Sequence, residues 1–280
     1  MKRFMLINFS KITCLSLVLF FINWTYAGNE NSSLGARSAS LSGASCALQD
    51  LWSAQNNQAG LAFVDSIQAG IYIDRKFMLS ELSQSAFAVA LPRKSGTFGI
   101  VYSRFGYSKY NENKAGISYA KKLGNRISAG IQLNYMNKFI GDGYGNNSAV
   151  TAELGIQAML LKGLTVAAHL FNPTRTQSAE YNQEKIPTLL KLGVLYAFSD
   201  KVFWAIESEK DIDYKARFKS GIEYKAFPQA CFRIGIATQP VETSFGFGLN
   251  LSKFNLDVAA AFHQQLGFTP HLGLSYCFAK

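Results

Sequence analysis

From residue 66 onward the chain alternates apolar and polar positions at a period of two, in stretches of about ten residues that each close on a turn signal. In one stretch Ile127, Ala129, Ile131, Leu133 and Tyr135 share a side, and Ser128, Gly130, Gln132 and Asn134 share the other. The next sets Val150, Ala152, Leu154, Ile156 and Ala158 against Thr151, Glu153, Gly155 and Gln157. An unbroken apolar row backed by a row containing a carboxylate needs hydrocarbon on one face and water or polar partners on the other. The pattern predicts fourteen strands, over 66–75, 83–92, 96–105, 112–121, 126–138, 148–160, 163–171, 186–198, 201–209, 214–226, 230–237, 243–251, 253–263 and 269–278. Tight turns follow the even strands, as at 94–95, 161–162 and 199–200, and longer connections follow odd ones, as at 106–111, 140–147 and 172–185. An even count with short periplasmic turns and longer external loops predicts an all-β fold, a transmembrane antiparallel β-barrel of about 14 strands.

The lipid face then follows strand by strand. Leu190, Leu192, Val194, Tyr196 and Phe198 form one outward row, and Phe245, Phe247, Leu249 and Leu251 another. Charges on the opposite parity, Glu153, Lys191, Glu207, Lys219, Glu223, Arg233 and Asp257, are assigned to the lumen, because Arg or Lys on the lipid face near the midplane costs roughly 2 to 4 kcal/mol. Tyr102, Tyr135, Tyr196, Trp204, Tyr214 and Tyr224 fall where interfacial aromatic girdles belong. The final strand ends on Leu272, Leu274, Tyr276 and Phe278, which resembles the C-terminal signal read by the barrel assembly machinery, with Ala279 and Lys280 following where an aromatic is usually last. Outer-membrane lipid and that machinery are the partners this implies.

Lys2, Arg3 and Lys11, an apolar core over 12–22, and Thr25, Tyr26 and Ala27 predict a signal peptide over 1–27. Export and a lipid-facing barrel together predict the Gram-negative outer membrane. Removing 27 of 280 residues leaves 253, one domain's worth, with 25 basic and 18 acidic side chains. A mean hydropathy of +0.04 suits a barrel that is apolar only on its outer face. Cys46, Cys231 and Cys277 remain, an odd number with no C-x-x-C spacing, so neither a disulfide framework nor a zinc site is expected. The basic excess carries no nucleic-acid motif, and no nucleic-acid partner is expected.

Eleven glycines share the inward parity: Gly70, Gly99, Gly116, Gly130, Gly155, Gly193, Gly221, Gly235, Gly246, Gly248 and Gly273. Such glycines mark either close approach by another backbone or relief of curvature. The candidate for that backbone is the small-residue segment before the first strand, which divides the mature chain into an N-terminal plug segment over 28–65 and a barrel over 66–280. Gly35, Ala36 and Arg37, then Gly43, Ala44 and Ser45, then Asp50, Trp52 and Ser53, and finally Asn57, Gln58, Ala59, Gly60 and Leu61 resemble the N-terminal segment of the PorV and PorQ family within the FadL-like superfamily. Gln58 stands where that family usually has proline. The resemblance implies Asp50, Trp52, Asn57 and Gly60 as plug residues. It also implies a non-enzymatic accessory of protein export or surface attachment, with other secretion or envelope proteins as partners.

The wider FadL-like resemblance implies instead a channel for a small hydrophobic or amphipathic solute. A charged lumen favours the accessory role; its charges either line a route for polar or amphipathic solutes or, the favoured reading, form pairs that bind the plug and fill the lumen. His169, His263 and His271 form neither a metal spacing nor a nucleophilic set, and the glycine-rich run 141–145 joins two strands with no helix to cradle phosphate. No enzymatic activity and no cofactor are expected.

Overall fold

The structure, a computed structural model, describes residues 31–141, 145–176 and 186–278. The expected leader over 1–27, the centre of the 141–145 run and much of the 172–185 connection lie outside them. Fourteen strands form: β1 (Gln68–Arg75), β2 (Ser83–Arg93), β3 (Gly96–Gly106), β4 (Tyr110–Lys122), β5 (Ile127–Ile140), β6 (Gly145–Leu161) and β7 (Leu164–Phe171), then β8 (Leu189–Ala197), β9 (Val202–Asp211), β10 (Arg217–Phe227), β11 (Ala230–Ala237), β12 (Glu242–Leu251), β13 (Phe254–His263) and β14 (Gly267–Cys277). Each pairs antiparallel with its neighbours in sequence, and β1 closes on β14. Closure leaves no unpaired sheet edge, the condition a strand must meet in hydrocarbon.

Register carries the alternation around the barrel. Ile71 stands opposite Phe87 and Leu274, and Phe87 opposite Tyr102, all outward. Ile117, Leu133 and Ile234 are each more than 60% exposed. Exposed apolar side chains occur on every strand but β7, whose outward side chains are half-buried, and together they exceed what a monomer in water carries. Cross-strand aromatic pairs, Phe98 with Tyr119, Phe232 with Phe247 and Phe254 with Tyr276, sit near the turn end of the wall.

The strands differ from expectation mainly at the external end. β4, β5 and β6 extend to Tyr110, Ile140 and Gly145, where polar side chains support continued pairing: Asn137 donates to Asn146 at 2.6 Å, and Asn113 to Asn111 at 2.8 Å. β8 and β10 begin later than expected, at Leu189 and Arg217. Tyr214 and Lys215 therefore lie in a connection, and Tyr214 stands outside the girdle. The contrast in loop length rests chiefly on 172–188.

The core lies inside the barrel. Residues 31–64 contribute no strand and form α1 (Ala36–Ser40), α2 (Ser53–Asn56) and a 3-10 segment (Gln58–Phe63). Helices this short are unstable alone, so packing holds them. Leu34, Leu41 and Leu61 are fully buried, each contributing about 1.5 to 3 kcal/mol. Positive φ at Gly35 and Gly43 lets the chain enter and leave the first turn.

Candidate functional site: a bonded plug in the lumen

The N-terminal segment follows the inner wall in reverse strand order. Ala36 lies against Gly273 of β14, Ser40 against Gly246 of β12, and Leu41 against Gly235 and Gly221 of β11 and β10. Cys46 then meets Gly193 of β8, Asn57 meets Gly155 of β6, Gln58 meets Gly130 of β5, and Leu61 meets Gly99 of β3. Midway, the chain crosses the lumen to β1, where Leu51 meets Gly70 and Trp52 packs edge-on to Tyr72 with ring centroids 5.7 Å apart. Nine of the eleven inward glycines thus touch the segment, while Gly116 and Gly248 face side chains of the wall itself. A Cβ at Gly130 would stand 2.6 Å from the Gln58 carbonyl carbon, and one at Gly221 2.7 Å from Leu41 Cβ. Close backbone approach, rather than curvature, is what these glycines serve.

Three polar clusters fix the segment. In the first, Glu153 is fully buried; one oxygen accepts from Lys114 at 2.6 Å and Asn134 at 2.9 Å, the other from Gln58 and His169, both at 2.8 Å. In the second, one oxygen of Glu207 accepts from the backbone N–H groups of Ser45 and Cys46 at 2.9 and 2.8 Å. The other accepts from Lys219 at 2.9 Å, which also bonds Glu209, itself 3.5 Å from Lys191. In the third, Arg37 grips Glu223 with two N–H groups at 2.8 and 3.0 Å and reaches Asp50 at 3.2 Å. Arg233 bonds the same Glu223 and Asp257, both at 2.6 Å. Buried charges persist when partnered in this way.

The plug's own groups feel that environment. Burial works against the Arg37 charge, yet Glu223 and Asp50 hold its pKa above the ordinary guanidinium range. Burial raises the Asp50 pKa, with Arg37 partly offsetting it. Burial and the neighbouring Glu207 push the Cys46 thiol up.

All seven charges assigned to the lumen point inward, and each belongs to one of these clusters. Of the four plug residues, Asp50 accepts from Arg37 and from the Trp52 N–H at 2.9 Å, and Trp52 fills the space beside Tyr72. Asn57 donates to the Cys46 carbonyl at 2.8 Å, and Gly60 lets the chain pass the Leu48 carbonyl and Ser53. Arg37, Lys114 and His169 also carry the clusters without having been singled out for the site. Lys114 was legible, since it shares the polar parity of Gly116 and Ser118. Beyond Glu153, toward the external end, Met136, Ala149, Phe171, Ile186 and Leu189 form an apolar cluster. Asn172 ties the connection down over it by donating to the Ile186 carbonyl at 2.9 Å. Among the described residues no group of His, Cys, Asp or Glu is arranged to hold a metal.

A closed fourteen-stranded antiparallel barrel with an apolar exterior and a lumen filled by its own N-terminal segment defines the class. No family model and no curated protein matches the sequence. Solved structures share the fold. CymD, a monoaromatic hydrocarbon channel, has a TM-score of 0.70 at 12% identity over 91% of this chain and 100% of that one. The toluene transporter TodX of P. putida has 0.67 at 10% identity, over 90% of this chain and 100% of its own. A FadL homologue of Pseudomonas aeruginosa has 0.66 at 11% identity, over 90% and 100%. The fold is therefore the one these solved structures share.

Proposed function

We propose that this protein is an outer-membrane channel for a small hydrophobic or amphipathic solute, closed by residues 31–64 and opened by their displacement. The observation that carries this reading is how the plug is attached. It is bonded to side chains and seated on glycines but contributes no strand to the barrel, so it can shift while every ladder hydrogen bond stays made. The charged lumen, which weighed toward the accessory role, is absorbed by the same observation: its charges are partnered with the plug and with each other. The external apolar cluster around Phe171 offers an apolar solute a first foothold. Fold likeness to hydrocarbon channels supports this reading over the PorV/PorQ-like role in export, for which the comparisons offer no support.

The test is uptake of a monoaromatic hydrocarbon into vesicles carrying the purified protein. Faster uptake than into empty vesicles is expected. Uptake equal to that of empty vesicles, with recovery of secretion components on affinity capture from solubilised outer membranes, would return the export role to first place.

A further inference from the structure

Each of the six tight connections at the end where the plug joins β1 carries or adjoins a cation: Lys94, Lys162, Lys201 and Lys253 lie within connections, Lys122 ends β4, and Lys225 lies two residues before the end of β10. Arg93, Lys121 and Arg126 add to them, and among the described residues only Asp65 and Asp200 oppose. Nine positive against two negative is an excess of seven, most of the excess of nine that the described residues carry. None of the nine has an ion pair among the described residues; Lys122 lies over the Phe63 ring at 4.8 Å.

The rim holds an open cleft of about 540 Å³ between the β2–β3 and β4–β5 turns. Arg93, Lys94, Lys121 and Lys122 converge on it, against the single acid Asp65. Ala62, Val64, Pro92 and Ala120 make its apolar side. The cleft lies beside the interfacial aromatics, since Tyr119, packed on Phe98 at 5.0 Å, donates its hydroxyl to the Ser95 carbonyl in the cleft wall at 2.6 Å.

We infer that this rim binds anionic phospholipid head groups of the periplasmic leaflet, with the cleft between the β2–β3 and β4–β5 turns as its principal site. A docked protein would cover one sector, whereas a leaflet surrounds the whole perimeter, and the cations lie in or beside every turn around it. The cleft gathers four cations at the interfacial level, matching the phosphate of a head group. Basic groups at a membrane surface attract anionic lipid in proportion to their number. The inference rests on the membrane reading proposed above, but not on solute transport.

The experiment uses the full mature chain in nanodiscs of phosphatidylcholine and phosphatidylglycerol, with the lipid retained after extraction counted by native mass spectrometry. Retained lipid should be enriched in phosphatidylglycerol, and raising salt should release it. Arg93→Gln with Lys94→Gln, or Lys121→Gln with Lys122→Gln, should each cut that enrichment about tenfold. Arg104→Gln with Arg175→Gln, an equal charge loss at the external end, should leave it unchanged. Equal retention of the two lipids by the wild-type chain would overturn the inference, as would equal loss in rim and external variants. Displacement of the lipid by inorganic phosphate would assign the cleft to a free anion and overturn it likewise. Failure of the chain to enter nanodiscs would instead remove the membrane reading, and failed solute uptake with lipid still bound would remove only the channel.

Discussion

Glu153 shows how one residue joins wall and plug. Its two oxygens collect a lysine and an asparagine of the wall, a plug glutamine and a histidine. Replacing it with leucine strands Lys114 as a buried charge, a change that costs about 3 to 5 kcal/mol, and denaturant unfolding of the refolded protein should show a loss of that order. Glu153→Gln keeps an acceptor for the plug and should cost less, about 1 to 3 kcal/mol; a larger loss than in the leucine variant would contradict this ordering. Cys46 reports on the same contact. It is buried with its thiol pKa pushed up, by burial first and Glu207 second, so it should react with maleimide far more slowly than the half-buried Cys277. Addition of a transported solute should raise the Cys46 rate alone. Equal rates for the two thiols without solute would mean that the plug is not seated as described.

At the scale of elements, the glycine track sets the plug's path. Gly221→Val would bring a branched side chain into Leu41, an overpacking that costs about 1 to 3 kcal/mol, and should loosen the plug measurably as faster Cys46 labelling. The outward Leu133→Phe should change neither stability nor labelling beyond about 0.5 kcal/mol. All fourteen strands and their outward faces were legible in the sequence because strand parity is local: neighbours two apart on one strand must share a face. The strand ends at Tyr110, Ile140 and Gly145 were not, because asparagine ladders carry pairing into polar sequence that reads as loop. The inward glycines were legible as a row, but not as a path. Which glycine meets which plug residue depends on the segment circling the wall against strand order, and no local pattern records that. Arg37 escaped notice as a site residue for the same reason, its partner Glu223 being 186 residues away.

The whole molecule is two structures with separate sources of stability: a barrel closed by its ladder and lipid face, and a plug held by side chains and close packing. Deleting residues 34–62 should therefore leave a folded barrel while raising single-channel conductance in planar bilayers. Identical closed traces from the intact and the deleted chain would show that something other than this segment blocks the lumen. The central claim is that solute passes only when the plug leaves its track, and one substitution tests it directly. A Cβ at Gly193 would stand 2.9 Å from Cys46 Cβ and 3.6 Å from its sulfur, so with a shift of under about an ångström Gly193→Cys can form a disulfide that staples plug to wall. Uptake of a monoaromatic hydrocarbon should be lost in the oxidised variant and return when the disulfide is reduced, with the wild-type chain indifferent to both treatments. Equal uptake by the oxidised and reduced variant, with the crosslink verified by mass spectrometry, would contradict it.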